Sequence, residues 1–260
     1  MFNRTASAII AVMLVSGTAA AAEEITIATN IANVPFEFED ASGNLQGFEV
    51  DLVNMIAERI GKTATFTQMP FNSLFSAVQS SRADIAIGSI TITPKRLESV
   101  SFTQPFYDAN QCLTVATSGG IEGFDGLEGK DVAVITGTTG EIWASENEEK
   151  YKFGTIKRYD GNAEPMLDIA TGRIAGFIHD CPIDEYYIRD KPQYKIVATI
   201  PTNEQFGLML HKDSALLNDV NDAITALKEE GQMERLHKKW FGTEAAAGSS
   251  TLTVHPIPTN

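Results

Sequence analysis

The sequence predicts an α/β fold made of two similar units that are joined by two strands. Short runs rich in β-branched residues alternate with stretches whose apolar residues recur at helical spacing. This pattern is typical of mostly parallel sheets with helices on both faces. A chain of 260 residues is long enough for two medium-sized domains. The pattern begins again near Cys112, which indicates the second unit.

The first unit contains three predicted strands, each followed by a helical pattern. The strands are residues 25–29, 64–68 and 84–88. The first helix covers 51–60 and has one apolar face. Asn72 is expected to cap the second helix, and Pro94 to stand in the first turn of a short third one.

The second unit repeats this alternation. Its strands are predicted at 112–115, 131–135, 155–159 and 174–178. Its helices begin near Glu141, Ala163 and Pro182.

The last part of the chain is predicted to return to the first unit. After Pro201 come a strand at 206–210 and two helices whose apolar stripes start at Leu217 and Met233. The chain is expected to pass between the units at 109–111 and near Pro201, so that two strands form a hinge. The expected boundaries are 23–109 with 202–242 for lobe 1, and 110–201 for lobe 2.

The two ends of the chain differ from the part between them. Residues 1–22 combine a positive Arg4, an apolar run too short to span a bilayer and small residues before Glu23, which predicts a cleaved secretory signal. Export leads to an oxidising compartment, in which a disulfide can persist. Residues 243–260 are small, polar and proline-containing, so we expect a flexible tail.

Composition and motifs exclude several classes of function. With 20 basic and 34 acidic residues the net charge is -14, which argues against nucleic-acid binding because phosphate contacts need clustered Lys and Arg. Two cysteines exclude a disulfide-dense scaffold, and four histidines without zinc-ligand spacing predict no structural metal. No nucleophile–base signature is present, so neither catalysis nor a cofactor is predicted.

The most informative motif runs from Gly88 to Arg96. A strand ends at Gly88, hydroxyl residues alternate at 89, 91 and 93, Pro94 starts a helix, and Arg96 lies in its first turn. Ligands bind at strand ends in α/β sheets, and an arginine fork beside free backbone N–H groups suits a carboxylate. The alternative is a capped helix with a surface arginine.

Two further motifs end strands of the second unit. Gly137-Thr138-Thr139-Gly140 can present N–H groups to an anion, although taken alone it fits an ordinary glycine-rich turn better. Asp180 either accepts a hydrogen bond from an ammonium group or caps the helix opened by Pro182. His179 either contacts a ligand or packs.

Aromatic residues follow the first two strands. Phe36 and Phe38 are interpreted as core residues. Phe71, shortly after the strand 64–68, is the better candidate for a wall of a ligand site.

Six motifs in this order resemble those of the polar amino-acid family of periplasmic solute-binding proteins, closest to its glutamine-binding branch. They are Pro35-Phe36-Glu37-Phe38, Gly47-Phe48-Glu49-Val50-Asp51-Leu52, Thr91-Ile92-Thr93-Pro94-Lys95-Arg96, Gly137-Thr138-Thr139-Gly140, His179-Asp180-Cys181-Pro182 and Lys239-Trp240-Phe241-Gly242. The resemblance covers residues 24–243. It implies a two-lobed clamshell that acts as a monomer, captures a free amino acid in the periplasm and delivers it to an inner-membrane ABC permease.

The resemblance also implies roles for single residues. The Arg matching Arg96 binds the α-carboxylate of the ligand, and the Asp matching Asp180 binds the α-ammonium. The Thr matching Thr91 and the turn matching Thr138 and Thr139 help to bind the carboxylate, and the position matching Ser89 contributes a backbone or hydroxyl contact. Because the two charged partners lie on opposite lobes, a zwitterion bridges them and favours closure.

The chain departs from the glutamine-binding branch at the ligand side chain. Asn30 stands where that branch has an Asp, Ile135 where it has a Lys, and Asn33 where it has one of two aromatic residues; Phe71 keeps the other. A cationic side chain gains from both an acid and an aromatic wall. We therefore expect a ligand with a neutral polar or small apolar side chain.

The implied topology also suggests a disulfide and leaves one alternative function. Cys112 starts the strand that enters lobe 2, and Cys181 follows a strand that ends at the cleft, so the sulfurs can meet if these strands are antiparallel neighbours. The alternative is an enzyme on the same scaffold, similar to the cyclohexadienyl dehydratases. Such an enzyme needs a general acid, for which His179 is the candidate in the pocket.

Overall fold

A computed structural model describes residues 22–260 of the protein. The predicted secretory signal lies outside the described residues, except for its last residue. Among residues 22–260, no helix has the length and apolar character needed to cross a membrane.

The first elements of the chain form lobe 1. In chain order they are β1 (Glu23–Thr29), β2 (Phe38–Glu39), β3 (Leu45–Gln46), α1 (Phe48–Arg59), β4 (Lys62–Gln68), α2 (Phe71–Gln79), β5 (Ile85–Ile87), α3 (Pro94–Leu97) and β6 (Val100–Phe102). The predicted apolar face of α1 is buried, with Leu52, Val53 and Ile56 inaccessible to solvent. The second helix begins at Phe71, after Pro70, so Asn72 lies inside it and is not the predicted cap.

The middle of the chain forms lobe 2. Its elements are β7 (Tyr107–Ala116), β8 (Val132–Ile135), α4 (Thr139–Glu146), α5 (Glu148–Tyr151), β9 (Ile156–Tyr159), α6 (Ala163–Ala170), β10 (Gly176–Asp180), α7 (Cys181–Ile188) and β11 (Tyr194–Phe206). The chain then returns to lobe 1 with β12 (Met209–His211), α8 (Leu217–Glu229) and α9 (Gln232–Phe241).

Each lobe is built on one mixed five-stranded sheet. The strand orders are β4-β1-β5-β12-β6 in lobe 1 and β11-β7-β10-β8-β9 in lobe 2. In lobe 1, β1 is parallel to β4 and β5, whereas β12 is antiparallel to β5 and β6. Lobe 2 likewise has two parallel and two antiparallel pairings. The sheets are therefore mixed rather than mostly parallel, because β12 in lobe 1 and the connecting strand β7 in lobe 2 each pair antiparallel with both neighbours.

Two long antiparallel strands, β7 and β11, connect the lobes. Their pairing runs from Tyr107↔Phe206 at one end to Tyr194↔Ala116 at the other. The register shifts between Ile200 and Glu204, where Pro201 lies. Proline cannot donate to a sheet ladder and is accommodated at such irregularities. Pro201, near which the chain was predicted to pass between the lobes, therefore lies within the long strand β11.

The parallel pairings determine where the polar residues meet. The carboxyl ends of β1, β4 and β5 lie at one edge of the lobe 1 sheet, so the residues after each strand converge there. The ends of β8, β9 and β10 converge in the same way in lobe 2. An apolar cluster that includes Phe71 of lobe 1 and Ile135 of lobe 2 joins the two edges.

The C-terminal segment 243–260 packs against the hinge strands and helix α8 of lobe 1. The Ser250 hydroxyl donates to Asp108 Oδ1 (2.5 Å), and Ser250 Oγ accepts from Gln205 Nε2 (2.5 Å). The Lys228 ammonium, on α8, donates to the Thr253 carbonyl (2.8 Å) and to two oxygens of residues 104 and 105. These contacts give the segment a fixed path, so it is not the flexible tail expected from its composition.

Candidate ligand-binding cleft

The strand ends of the two lobes face each other across a narrow cleft. Every residue that the sequence analysis proposed as a ligand contact lines it. These residues are Asn30, Asn33, Phe71, Ser89, Thr91, Arg96, Thr138, Thr139, His179 and Asp180, and they are joined there by Gly88, Ile135 and Asn162. The free space at the centre is about 10 Å³, close to that of one water molecule. An amino acid can therefore enter only when the lobes separate.

Arg96 is a buried cation at the lobe 1 side of the cleft. Thr93 caps α3 by accepting from the Arg96 backbone N–H (3.1 Å), which fixes where the side chain leaves the helix. Its Nη1 donates to the Thr91 carbonyl (2.6 Å), and its Nη2 reaches across to the Gly137 carbonyl of lobe 2 (3.1 Å). Burial lowers the pKa of Arg96 to about 10, with Asp180 opposing the shift, so it stays charged at neutral pH. The alternative of a surface arginine is wrong.

Asp180 is a buried carboxylate at the lobe 2 side of the cleft. It precedes α7, but its side chain makes no capping hydrogen bond. It accepts instead from Gln111 Nε2 (2.7 Å). Burial raises the pKa of Asp180 to about 7, and neighbouring His179 opposes this shift. The His179 imidazole is 3.9 Å from Oδ2, beyond hydrogen-bonding distance, so this buried carboxyl can still receive an ammonium group.

His179 is positioned from behind by groups of lobe 2. Its Nδ1 lies 2.9 Å from Asp184 Oδ1, and its ring stacks on Phe177 at 4.7 Å between centroids. Asp184 is held in turn by the Thr114 hydroxyl, which donates to Oδ2 (2.5 Å). Burial disfavours the charged imidazole, but the Asp184 carboxylate outweighs it and raises the pKa of His179. His179 Nε2 is 3.9 Å from Asp180 Oδ2, at the wall of the cleft.

The glycine-rich motif 137–140 forms the turn into α4. The Thr138 hydroxyl donates to the Ile135 carbonyl (2.8 Å) and accepts from the Glu141 N–H (3.3 Å), so it caps the helix. The first N–H groups of a helix have no partner within it, and those of α4 lie beside the cleft. A Cβ on Gly140 would lie 2.8 Å from the Ile178 carbonyl, so only glycine fits there.

Ser89 is placed by a buried carboxylate that the sequence analysis did not assign. Glu49 accepts from the backbone N–H groups of Gly88 (2.9 Å) and Ser89 (3.0 Å), and Ser89 adopts a φ of 52°. Burial raises the pKa of Glu49 to about 7, although these two N–H groups oppose it. The Ser89 hydroxyl is buried without a partner inside the described part of the chain.

One end of the cleft is lined mainly by amides. Asn162 of lobe 2 donates to the Asn33 side-chain oxygen across the cleft, and Asn33 donates to Glu37. Asn30 donates to the Met69 carbonyl (3.4 Å). Burial raises the pKa of Glu37 well above its usual range, which favours its neutral form. Asn162 follows β9, so it lies after a strand end like the other cleft residues, but it was not predicted from the sequence.

Neither Phe36 nor Phe38 lines the cleft, but only Phe36 is the core residue predicted from the sequence, since Phe38 is partly buried. The Phe36 ring is fully buried and makes edge contacts with Phe48 and Phe206. Phe38 packs against Trp240 with ring centroids 5.8 Å apart.

The predicted disulfide is confirmed. Cys112 on β7 is bonded to Cys181, the first residue of α7, with their Cα atoms 4.9 Å apart. The premise also holds, since β7 and β10 are antiparallel neighbours and Cys112 pairs with His179. The bond therefore ties the residue after Asp180 to a hinge strand.

Two lobes on a two-strand hinge, with a buried cation and a buried carboxylate facing each other, define a two-lobed solute-binding protein. The chain belongs to the bacterial extracellular solute-binding proteins, family 3, whose sequence model matches residues 25–243. Among residues 22–260, no group of three or more His, Cys, Asp or Glu side chains is arranged to hold a metal ion.

Named relatives and a solved structure support this assignment. A putative ABC transporter arginine-binding protein 2 of Escherichia coli K12 is 32% identical over 86% of this chain and 93% of its own length. The histidine-binding periplasmic protein of Salmonella typhimurium is 30% identical, covering 88% and 92%. An ancestral arginine-binding protein bound to glutamine has a TM-score of 0.78 at 30% identity, covering 85% and 98%. These relatives are binding proteins, so the chain is a solute-binding protein rather than the dehydratase considered as an alternative.

Proposed function

We propose that this protein captures a free amino acid between its lobes in the periplasm and, as a monomer, delivers it to an inner-membrane ABC permease. The observation that carries the proposal is the pairing of Arg96 from lobe 1 with Asp180 from lobe 2 in one buried cleft. An α-amino acid carries one anion and one cation on adjacent atoms, which matches such a pair. Membership of the family and the names of the relatives agree with this proposal.

The α-carboxylate of the ligand is assigned to Arg96. The guanidinium presents a planar fork that suits two parallel hydrogen bonds to a carboxylate. Its present acceptors are neutral carbonyls of Thr91 and Gly137, and a carboxylate is the stronger partner. The free N–H groups at the start of α4 and the hydroxyl of Ser89 offer further donors.

The α-ammonium is assigned to Asp180. One carboxylate oxygen accepts from Gln111, and the second lies toward His179 at 3.9 Å. A cation placed here favours the ionised carboxylate and offsets the cost of burying it. Because the ammonium and carboxylate of one ligand then hold opposite lobes, binding favours the closed arrangement over the open one.

The side chain of the ligand is assigned to the amide-lined end of the cleft. Asn30, Asn33 and Asn162 provide neutral donors and acceptors there, and Phe71 and Ile135 provide apolar walls. No ionised acid of the described residues lines this end, since Glu37 lies behind Asn33 and its raised pKa favours the neutral form. We therefore propose a neutral polar side chain. The predicted kinship with the glutamine-binding branch stays a prediction.

A thermal-shift screen followed by calorimetric titration tests this function. The protein without its predicted signal is screened with all common L-amino acids and with opine-like derivatives, because a ligand that binds the folded state raises the melting temperature. We expect the largest shifts with serine, threonine, asparagine or glutamine, and none with the variant Arg96→Ala. Micromolar binding to arginine or lysine alone overturns the side-chain class, and no binding to any amino acid overturns the function.

A further inference from the structure

The carboxylate of Glu204 lies where the two hinge strands pass the cleft, and it joins groups from both lobes. Its Oε2 accepts from the Thr91 hydroxyl of lobe 1 (3.1 Å), the Thr139 hydroxyl of lobe 2 (3.0 Å) and Gln111 Nε2 of β7 (2.9 Å). Both threonines line the cleft beside Asp180. Neither Glu204 nor Gln111 is among the ligand contacts predicted from the sequence.

The chemistry of these groups fixes the direction of each hydrogen bond. An ionised carboxylate only accepts, and a threonine hydroxyl has a single proton and two lone pairs. The protons of Thr91 and Thr139 must therefore point toward Glu204. What each hydroxyl can still offer to a molecule in the cleft is a lone pair.

Gln111 extends the same pattern to Asp180. Its amide nitrogen lies 2.7 Å from Asp180 Oδ1, 2.9 Å from Glu204 Oε2 and 3.2 Å from Thr139 Oγ1, so its two protons are shared between the two carboxylates, which are nearer, and one lone pair of the Thr139 hydroxyl. Asp180 Oδ2 is not used by this bridge. The cleft thus holds three acceptors, namely one carboxylate oxygen of Asp180 and two hydroxyl oxygens that both lie within 3.1 Å of Glu204 Oε2.

We propose that Glu204 is a positioning residue for specificity, which turns the hydroxyls of Thr91 and Thr139 into acceptors. Together with Asp180 they form a subsite for the three N–H groups of a primary ammonium. This inference rests on the proposed function and deepens it. It also changes the implied role of the two threonines, whose hydroxyls then serve the ammonium while Arg96 and backbone N–H groups serve the carboxylate.

The alternative is that the hydrogen bonds of Glu204 only stabilise the closed arrangement of the two lobes. In that case they favour closure around any ligand, and their loss lowers the affinity for every ligand by the same factor. If Glu204 instead orients the hydroxyl protons, its loss changes how many N–H groups of a ligand can donate hydrogen bonds to the cleft. The two roles therefore differ in selectivity, not only in affinity.

The experiment compares primary and N-methylated ligands in matched variants. The probes are L-serine, L-threonine, L-asparagine and L-glutamine with their α-N-methyl counterparts, titrated calorimetrically into wild type, Glu204→Met and Glu204→Gln. Met removes the acceptor at nearly constant length. Gln removes the charge but keeps an oxygen that can accept all three hydrogen bonds. Glu185→Gln, an exposed acid of α7 that does not line the cleft, is the control.

We expect wild type to prefer a primary ammonium over its N-methyl form, and Glu204→Met to reduce that preference by about tenfold or more. Glu204→Gln and Glu185→Gln keep the preference. The melting temperature without ligand shows whether each variant is folded. Thr139→Val, which removes one acceptor without touching Glu204, should lower the preference in the wild-type background and have no further effect beside Glu204→Met.

The outcomes separate this inference from the function on which it rests. An unchanged preference in Glu204→Met, whether or not both ligands weaken equally, overturns the inference and leaves amino-acid binding intact. A preference lost equally in Glu204→Gln shows that charge, not proton direction, sets it, and also overturns the inference. A wild-type protein that binds none of the common L-amino acids overturns the proposed function together with it, whereas binding to another amino acid moves the same comparison to that amino acid and its α-N-methyl form.

Discussion

The affinity for an amino acid should fall steeply as the solution is acidified from pH 8 to pH 5.5. The cause is Asp180, whose pKa burial raises to about 7. A protonated carboxyl cannot form an ion pair with the ligand ammonium, so only the ionised fraction of the protein binds well. The bound cation lowers this pKa, and binding at acidic pH must therefore release a proton.

The size of the effect follows from the ionised fraction. A group with a pKa of about 7 is about nine-tenths ionised at pH 8 and about 3% ionised at pH 5.5. The affinity should thus decrease about thirtyfold, equivalent to about 2 kcal/mol. On acidification, the basic groups near Asp180 either weaken the binding of an ammonium further or keep their charge. His179, whose pKa is raised, can only gain positive charge on acidification and then repels an ammonium more strongly, whereas Arg96, with a pKa of about 10, stays protonated throughout.

Calorimetric titration at half-unit pH steps, in buffers of different ionisation enthalpy, measures both the affinity and the protons released. The matched control is Asp180→Asn, which should bind weakly with a much flatter pH profile. An affinity that is constant between pH 5.5 and pH 8, or an equally steep profile in Asp180→Asn, would falsify the assignment of Asp180 to the ammonium.

Four further predictions follow from the same structure. Without ligand, the protein should become more stable as the pH is lowered toward 5. The reason is that buried carboxyls with raised pKa values bind more protons in the folded state than in the unfolded state. A melting temperature that drops over this range contradicts this prediction. Arg96→Ala should weaken binding by about 2–5 kcal/mol, or about 30-fold to several thousandfold by titration, and an affinity within threefold of wild type contradicts the carboxylate assignment. Replacing Cys112 and Cys181 by Ser opens a loop with a sequence separation of 69, which should lower the free energy of unfolding in urea by about 4 kcal/mol; detection of free thiols in denatured, unreduced wild type contradicts the bond. Lys228→Met leaves buried oxygens unpaired and should cost about 1–3 kcal/mol, whereas the exposed Lys95→Met should cost nothing measurable; equal effects argue against a fixed path for the tail.

Much of the cleft could be predicted because its residues follow strands directly. Asp180 is the last residue of β10 and Arg96 lies on the short helix that follows β5, and parallel strands bring their carboxyl ends to one edge. What the local pattern left open was the state of each side chain. The local sequence is equally compatible with an Arg96 on the surface and with a buried one. It is also equally compatible with an Asp180 that caps a helix and with one that faces a ligand.

Other features of the site were missed because nothing in their local sequence marks them. Glu204 lies 113 residues from Thr91 and 65 from Thr139, and it meets both only because β11 passes between the lobes. Asp184 reaches His179 by the geometry of the turn into α7. The C-terminal tail has the composition of a flexible segment, yet hydrogen bonds to the hinge strands and to Lys228 hold it in place.

The sequence by itself determined the succession of strands and helices, the strand ends that carry polar chemistry and the pair of cysteines able to bond. These properties depend on periodicity and on residues close together in the chain. Only the tertiary structure decided which charges are buried, which hydroxyl protons are already engaged and which acids face one another. Burial and hydrogen-bond direction depend on groups brought together from distant parts of the chain, and the hinge strands bring them together here.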